Sequence, residues 1–577
     1  MVEKKHRPDI QENNKSSGDN RQTQEKHICL VQLTRAGDLV QTLMAARQLK
    51  EHHPEIKLSL IARSSYASPI NFLLEECFDR IYPLNTKNLF SSDDINDSHE
   101  YVNQFLEKIN SEPIDALINL SFSESSSYLC SLIKSKHKLG PYKDQNNQTI
   151  IQDKWSQYLY ASVLNGSFNP FSLIDLFGMI IGISPLKDFD KFRVQTNREK
   201  TLIAHPFSSL ERKMWTAKKW SEVLYKFIKD NPDYKVYVVG SSKDKERADR
   251  IFKPGYISKN SQIINSVGKT SLKEVYKLLE KSKLFVGHDS LIGHLASVAR
   301  TQSLTISLGS VRISETTPYS IGSYVFSPRT HCYPCFPTTA CKEFACHSDI
   351  SYQIINNSLK LLAQNQNLEI GELKENVSDF QLKNCTINRT SISPQGFFEL
   401  QRLDDNANSK DEIFRTFYRV MWLYYFSEIQ ENQGFPELTN DLKSNLKTTL
   451  EGLSHIYELC EFGMKYSYNI LNEISQETCK IERIKNDSQK IDEIDELKNL
   501  VKKTYPALSP LIDFSSLAKF NLEGKNLVEM AKNSYMTYND IKNLSSVFKE
   551  LIQKTLDQNF TNTNANVSTS ERLKCPK

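Results

Sequence analysis

The groups best suited to chemistry are concentrated in one stretch, KLFVGHDSLIGH, from Lys283 to His294. Apolar residues 283–287 read as a strand, the polar corner His288, Asp289, Ser290 follows, and residues 290–300 have the small and apolar spacing of a helix. Open α/β sheets build ligand sites at such carboxyl ends of strands. The helix start offers free backbone N–H groups and a positive dipole end, which suit a phosphate. Ser290 is an N-cap candidate, and a capped helix after a buried strand would look the same locally. His294 is either a packed helix histidine or a ligand-lining one. A second candidate, Asp38, follows Gly37, which permits a tight turn at the junction of the first strand and first helix. It reads as a general base at the mouth of a sheet, or as an acid complementing the helix dipole.

A third group is sulfur. Cys332, Cys335, Cys341 and Cys346 fall within 15 residues, and the C-x2-C spacing of the first pair lets two thiolates reach one ion. Four thiolates complete a tetrahedral structural site with no open coordination position. Reduced thiols or a disulfide in a loop are the alternatives. The other seven cysteines are scattered and read as ordinary thiols.

These residues need a framework, and the hydrophobic pattern supplies one. Residues 27–33 form an apolar run of strand length, broken at 34–38. Leu39, Leu43, Ala46 and Leu49 have helical spacing up to Pro54, and residues 57–62 form the next strand. Further strands are expected at 116–120 and about 138–140, with a loop and a helix start over 85–103. A βαβ unit predicts a parallel sheet. A second series begins with a strand at 201–204. It continues with a helix from Ser221, a strand at 234–239, a polar loop at 241–246 and a short strand at 263–264. Ser271 caps a helix to Lys281, and a strand follows at 304–308. Two α/β halves leave a cleft between them, where ligands prefer to bind.

Composition narrows the class. Hydrophobic residues make up 39% and charged residues 25%, with a mean hydropathy of −0.49 and a net charge of +4. That charge is too small to point to nucleic acid or a membrane surface. No apolar run reaches the length of a membrane span; residues 417–426 come nearest and include an arginine. Residues 1–26 lack the apolar core of a signal peptide and read as a disordered lead-in. A cytoplasmic protein with reduced thiols is the expectation.

Four segments, in order, resemble the family-9 glycosyltransferases, the heptosyltransferase family, over residues 27–352. They are LTRAGDLVQTLMAARQLKEHHPEIKLSLIA, SSLERKMWTAKKW, VGSSKDKERA and VGHDSLIGHLAS. The resemblance implies an α/β fold of GT-B architecture: two Rossmann-like domains, 27–190 on the acceptor side and 191–365 on the nucleotide-sugar donor side, facing a cleft. It implies Asp38 as the base that deprotonates the acceptor hydroxyl, in a loop with Arg35 and Gly37, and Lys213 as the cation meeting the donor diphosphate. Ser208, Ser209, Asp244, Asp289, Ser290 and His294 fall on donor-binding positions, Asp244 near the acid that holds the ribose. Leu291 stands where the family has glycine. One cation plus helix-terminal N–H groups can stabilise a leaving diphosphate without a metal, and one carboxylate on the opposite domain can activate the acceptor. The cysteines resemble those of the branch that glycosylates autotransporters with a structural ferric ion; zinc fits the ligand set equally well. No cofactor is implied for catalysis.

The resemblance stops near 355–365. Residues 366–410 mix strand-like pieces, at 380–387 and 397–403, with polar joints and read as a connecting region. Residues 411–557 have helical periodicity, punctuated by Pro506 and Pro510, and form a mostly α-helical C-terminal region. The aromatic helix around Trp422 reads as a core helix, and residues 558–577 as a disordered tail. Two functions compete. One is an inverting transferase taking a heptose-type sugar from a nucleotide donor, expected to be ADP-heptose, to a lipopolysaccharide-core or protein hydroxyl. The other is a weakened transferase fold that acts as a binding or scaffold module through its helices. A zinc-ribbon nucleic-acid binder conflicts with the near-neutral charge. Homo-oligomerisation stays open.

Overall fold

The computed structural model describes residues 26–571 except 90–94, 166–167, 184–187, 337, 405–408, 428, 430–437, 523 and 525. The expected lead-in at 1–26 lies outside the described residues but for Lys26.

The first sheet contains β1 (His27–Gln32), β2 (Lys57–Arg63), β3 (Arg80–Leu84), β4 (Ala116–Asn119) and β5 (His137–Leu139), in the order β3-β2-β1-β4-β5, all parallel. The run ICLV of β1 explains its central place, since a strand covered on both faces has no polar side to alternate. The first helix, Ala36–His52, crosses back between β1 and β2. A small hairpin, β6 (Tyr142–Lys143) and β7 (Thr149–Ile150), follows the sheet.

The second sheet has eight strands: β8 (Glu199–His205), β9 (Lys235–Val238), β10 (Ile263–Asn265), β11 (Ser282–His288), β12 (Gln302–Ile306), β13 (Tyr324–Pro328), β14 (Cys385–Ile392) and β15 (Phe398–Arg402). Their order is β10-β9-β8-β11-β12-β13-β14-β15. The first six are parallel, in the doubly wound order that reverses direction between β8 and β11. β14 and β15 add antiparallel strands. The stretch read as a connector over 366–410 is therefore partly sheet. Its expected strand at 380–387 starts later, because Ser378 and Gln381 form a capping box that winds Asp379–Lys383 into a helical turn. The polar stretch near 85–103 is helical where described, with helices Thr86–Leu89 and Ile95–Asn110. The helix expected from Ser221 begins at Ala217, capped by Thr216, and Ser271 caps Leu272–Lys281 as expected.

The C-terminal helices Lys410–Ser427, Asn440–Ile474, Ile481–Thr504, Ser509–Phe520 and Leu527–Glu571 share one continuous apolar core with the first half of the chain. Trp422 is fully buried, with its ring 5.3 Å from Tyr158 and 5.1 Å from Phe514. Among the described residues no helix is long and apolar enough to cross a membrane. The tail expected to be disordered from 558 continues the last helix to Glu571. No glycine or proline interrupts residues 527–571 to stop it.

The two longest helices, Asn440–Ile474 and Leu527–Glu571, pair closely at Gly463. A Cβ there would stand 2.5 Å from the ring of Tyr538, itself fully buried. Gly463→Val is expected to destabilise the protein by about 1–3 kcal/mol, the usual range for overpacking. It should lower the urea midpoint, and an unchanged midpoint would show that this contact is loose.

Candidate active site

The corner after β11 meets the loop after β8 at the switch between those strands, where a doubly wound sheet opens a crevice. Lys213 ends the short turn Glu211–Lys213, and its Nζ donates to Asp289 Oδ2 at 2.9 Å. Both side chains are only 11–12% exposed. Burial alone would raise the Asp289 pKa. The charges of Lys213 and His294 and the hydrogen bonds from Lys213 and Thr316 outweigh it, so the carboxyl stays below its ordinary range and ionised. Ser208 Oγ donates to the Asp289 carbonyl at 3.0 Å, which ties the two loops together.

Two histidines absent from the sequence assignment hold this corner. The buried imidazole of His288 accepts at Nε2 from the Trp215 N–H (3.0 Å) and from Trp220 Nε1 (3.2 Å), while Nδ1 faces the Ile306 carbonyl at 3.1 Å. Two tryptophans spaced five apart thus converge on one acceptor, and Lys213, two residues before Trp215, is placed by them. Burial pushes the His288 pKa down to about 3 and that of His205 to about 4, so both remain neutral. Ser290 sits at the N-cap position of the helix Leu291–Val298, but its side chain does not cap. Its Oγ pairs with His205 Nδ1 at 3.0 Å instead. The signal for His205 was its place at the end of a strand beside the switch point.

The first sheet supplies Asp38. Thr34 Oγ1 lies 2.7 Å from Asp38 Oδ2, and the Arg35 N–H donates to the same oxygen at 3.1 Å. Arg35 is exposed; Gly37 is partly buried, and a Cβ on it would meet the His294 ring at 3.2 Å. His294 therefore bridges the halves. Burial lowers its pKa, opposed by Asp289 and Asp38. Leu291 packs partly buried against the core. Gln41 Nε2 reaches the Glu315 carbonyl at 3.5 Å, and Asn169 Nδ2 the Glu315 carboxyl at 3.1 Å. Asp38, His294, Asp289 and Lys213 form one linked set.

Asp244 lies near enough to His205 to oppose the fall of its pKa. Asp244 accepts from the Ser241 N–H (3.0 Å) and Oγ (2.6 Å) at the start of its own helical turn. Ser209 is exposed. Cys332, Cys335, Cys341 and Cys346 carry free thiols near enough to influence one another; burial, then the neighbouring thiols, raise the Cys335 pKa, and the same neighbours act on Cys346. Among the described residues no group of three or more His, Cys, Asp or Glu side chains is gathered to hold a metal ion. Of the four expected ligands Cys332 is exposed, Cys335 and Cys341 are half-buried and Cys346 is buried.

Residues 183–346 match the model of glycosyltransferase family 9 (heptosyltransferase). Lipopolysaccharide heptosyltransferase 1 of Campylobacter coli is 22% identical over 293 residues, covering 48% of this chain and 83% of its own length. Among solved structures, the E. coli ADP-heptose lps heptosyltransferase II is 15% identical, covering 59% of this chain and 99% of its own, with a TM-score of 0.43. The iron-containing dodecameric glycosyltransferase TibC from enterotoxigenic E. coli H10407 is 16% identical, covering 59% and 76%, with a TM-score of 0.32. The matched family 9 segment contains Ser208, Lys213, Asp244, Asp289 and His294, whereas Asp38 lies outside it.

Because His288 refuses a proton in the folded protein, it has a definite pH signature. Unfolded, it titrates near 6.5; folded, near 3. As pH falls below 6.5 the unfolded state gains the proton and stability drops, by about 1.4 kcal/mol per pH unit. Urea unfolding at pH 7 and pH 5 should show wild type losing about 2 kcal/mol more than His288→Gln. Parallel losses in the two proteins would contradict the buried neutral imidazole.

Proposed function

We propose that the protein is an inverting glycosyltransferase moving a heptose-type sugar from ADP-heptose to a hydroxyl of a lipopolysaccharide core or of a protein. The observation that carries this reading is the meeting of Asp38 with His294, Asp289 and Lys213 across the facing ends of the two sheets. The matched family and the name of the Campylobacter relative support the choice of sugar.

In this mechanism Asp38, held by the Arg35 N–H, removes the acceptor proton as the oxygen attacks the anomeric carbon. Backside attack inverts that carbon and expels the nucleoside diphosphate. Lys213, poised by Asp289, carries the developing diphosphate charge, helped by the N–H groups at the start of the Leu291–Val298 helix. Ser208 and Ser209 border the diphosphate, and Asp244 meets the ribose once its loop is occupied. Neutral His205 offers an N–H or a lone pair to the donor side without adding charge. No metal is needed for the transfer itself. The protein works in the cytoplasm, where nucleotide sugars are made.

Asp38→Asn preserves size and removes the base. It is expected to lower kcat for sugar transfer by about 10²–10⁴-fold, with donor affinity nearly unchanged. Lys213→Ala is expected to weaken both donor binding and kcat. Transfer assays and calorimetric titration with ADP separate the two effects. Equal turnover by wild type and Asp38→Asn would remove Asp38 from the mechanism. Absence of both ADP binding and transfer in wild type would favour the scaffold reading.

A further inference from the structure

A second cavity opens two strands from the Asp289 corner, at the carboxyl ends of β12 and β13. It encloses about 250 Å³, and the start of the appended helix Lys410–Ser427 forms one wall. An adjoining cavity of about 430 Å³ shares Ile313, Ser314, Glu412 and Arg415 with it, so the two make one groove.

The first cavity is lined by four cations, Arg312, Arg329, Lys410 and Arg415, against two carboxylates, Asp411 and Glu412. Glu412 is already engaged by Arg402 at 3.1 Å and by the Ser409 N–H at 2.6 Å. Arg312 lies 3.6 Å from Glu315. The buried Glu315 carboxylate acts on Arg415 as well as Arg312, but the buried Nε of Arg415 has no hydrogen-bond partner. A buried guanidinium donor without a partner is costly, and an oxyanion satisfies it in the fork geometry that suits phosphate. The groove thus has a surplus of positive charge and an unmet donor.

Its position connects it to the reacting corner. The short helix Ile313–Thr316 lies between the two: Thr316 is hydrogen-bonded to Asp289, while Ile313 and Ser314 line the groove. One saccharide chain can therefore touch both.

We propose that this groove is an acceptor subsite for a phosphate-bearing saccharide, built jointly by the transferase sheet and the appended helix, with Arg415 and Lys410 gripping the phosphate. The acceptor role rests on the transferase reading; the anion site itself does not. The test is calorimetric titration with glucose 6-phosphate, and with glucose as control, in the presence of saturating ADP. Glucose 6-phosphate should bind at least tenfold more tightly than glucose. Arg415→Gln and the half-exposed Lys410→Gln should each weaken it by about tenfold, with ADP affinity and thermal midpoint unchanged. Three results would overturn the proposal: no binding, equal binding by wild type and both variants, or loss of binding once ADP is added. Failure of the transferase reading would look different, since ADP would not bind while the sugar phosphate still did.

Discussion

The site depends on a buried ion pair that is useful only if it is held open to a ligand. Lys213 and Asp289 lie 2.9 Å apart and almost out of water. Such a pair repays its desolvation only when its remaining donors and acceptors are satisfied. Thr316, from the loop after β12, does this for the Asp289 carboxylate, while Ser208, from the loop after β8, holds the Asp289 main-chain carbonyl. His288 fixes the tryptophans that carry Lys213. The pair is thereby the node at which three loops of the second sheet are tied.

Neutrality of the surrounding histidines follows from the same constraint. His205 and His288 are both fully enclosed beside this ion pair. Protonating His288 at Nε2 would break the hydrogen bonds it accepts from the Trp215 N–H and Trp220 Nε1. Burial prevents this across the physiological range. His294 differs because two carboxylates, one from each half, oppose its desolvation.

The parts legible in the sequence were those in which chemistry and pattern coincide. Strand-length apolar runs ending in Asp289 and just before Asp38 revealed both sheets and their carboxyl ends. The motif around Lys213, SSLERKMWTAKKW, was legible only through its resemblance to a family pattern. His205 and His288 were not, because a lone histidine after a strand carries no periodic signal and its role depends on partners 68–85 residues away. β14 and β15 were partly hidden for a similar reason: an antiparallel edge extension is defined by its pairing with β13, not by its own alternation. The side-chain partners of Asp244 and the spread of the cysteines between exposed and buried positions depend on loop geometry that residue spacing does not specify.

The appended helices belong to the same argument. Their aromatic face is the continuation of the first half's core: Trp155 stacks within 4.7 Å of Phe426, and Asn521 accepts from the Ile151 N–H at 2.7 Å. Asp175, buried in the first half, accepts from Tyr319 and from the Phe398 N–H of β15, and burial lifts its pKa to about 6. Arg419 of the first appended helix donates to the Phe398 carbonyl at 3.2 Å. One buried carboxylate and one buried guanidinium thus fasten the first half, the second sheet and the appendage to the same strand. A helix so fixed cannot swing as an independent module. Whatever its outer residues bind is held at a constant distance from Asp289, and constant distance lets a remote contact on a substrate contribute to orientation at the reacting carbon.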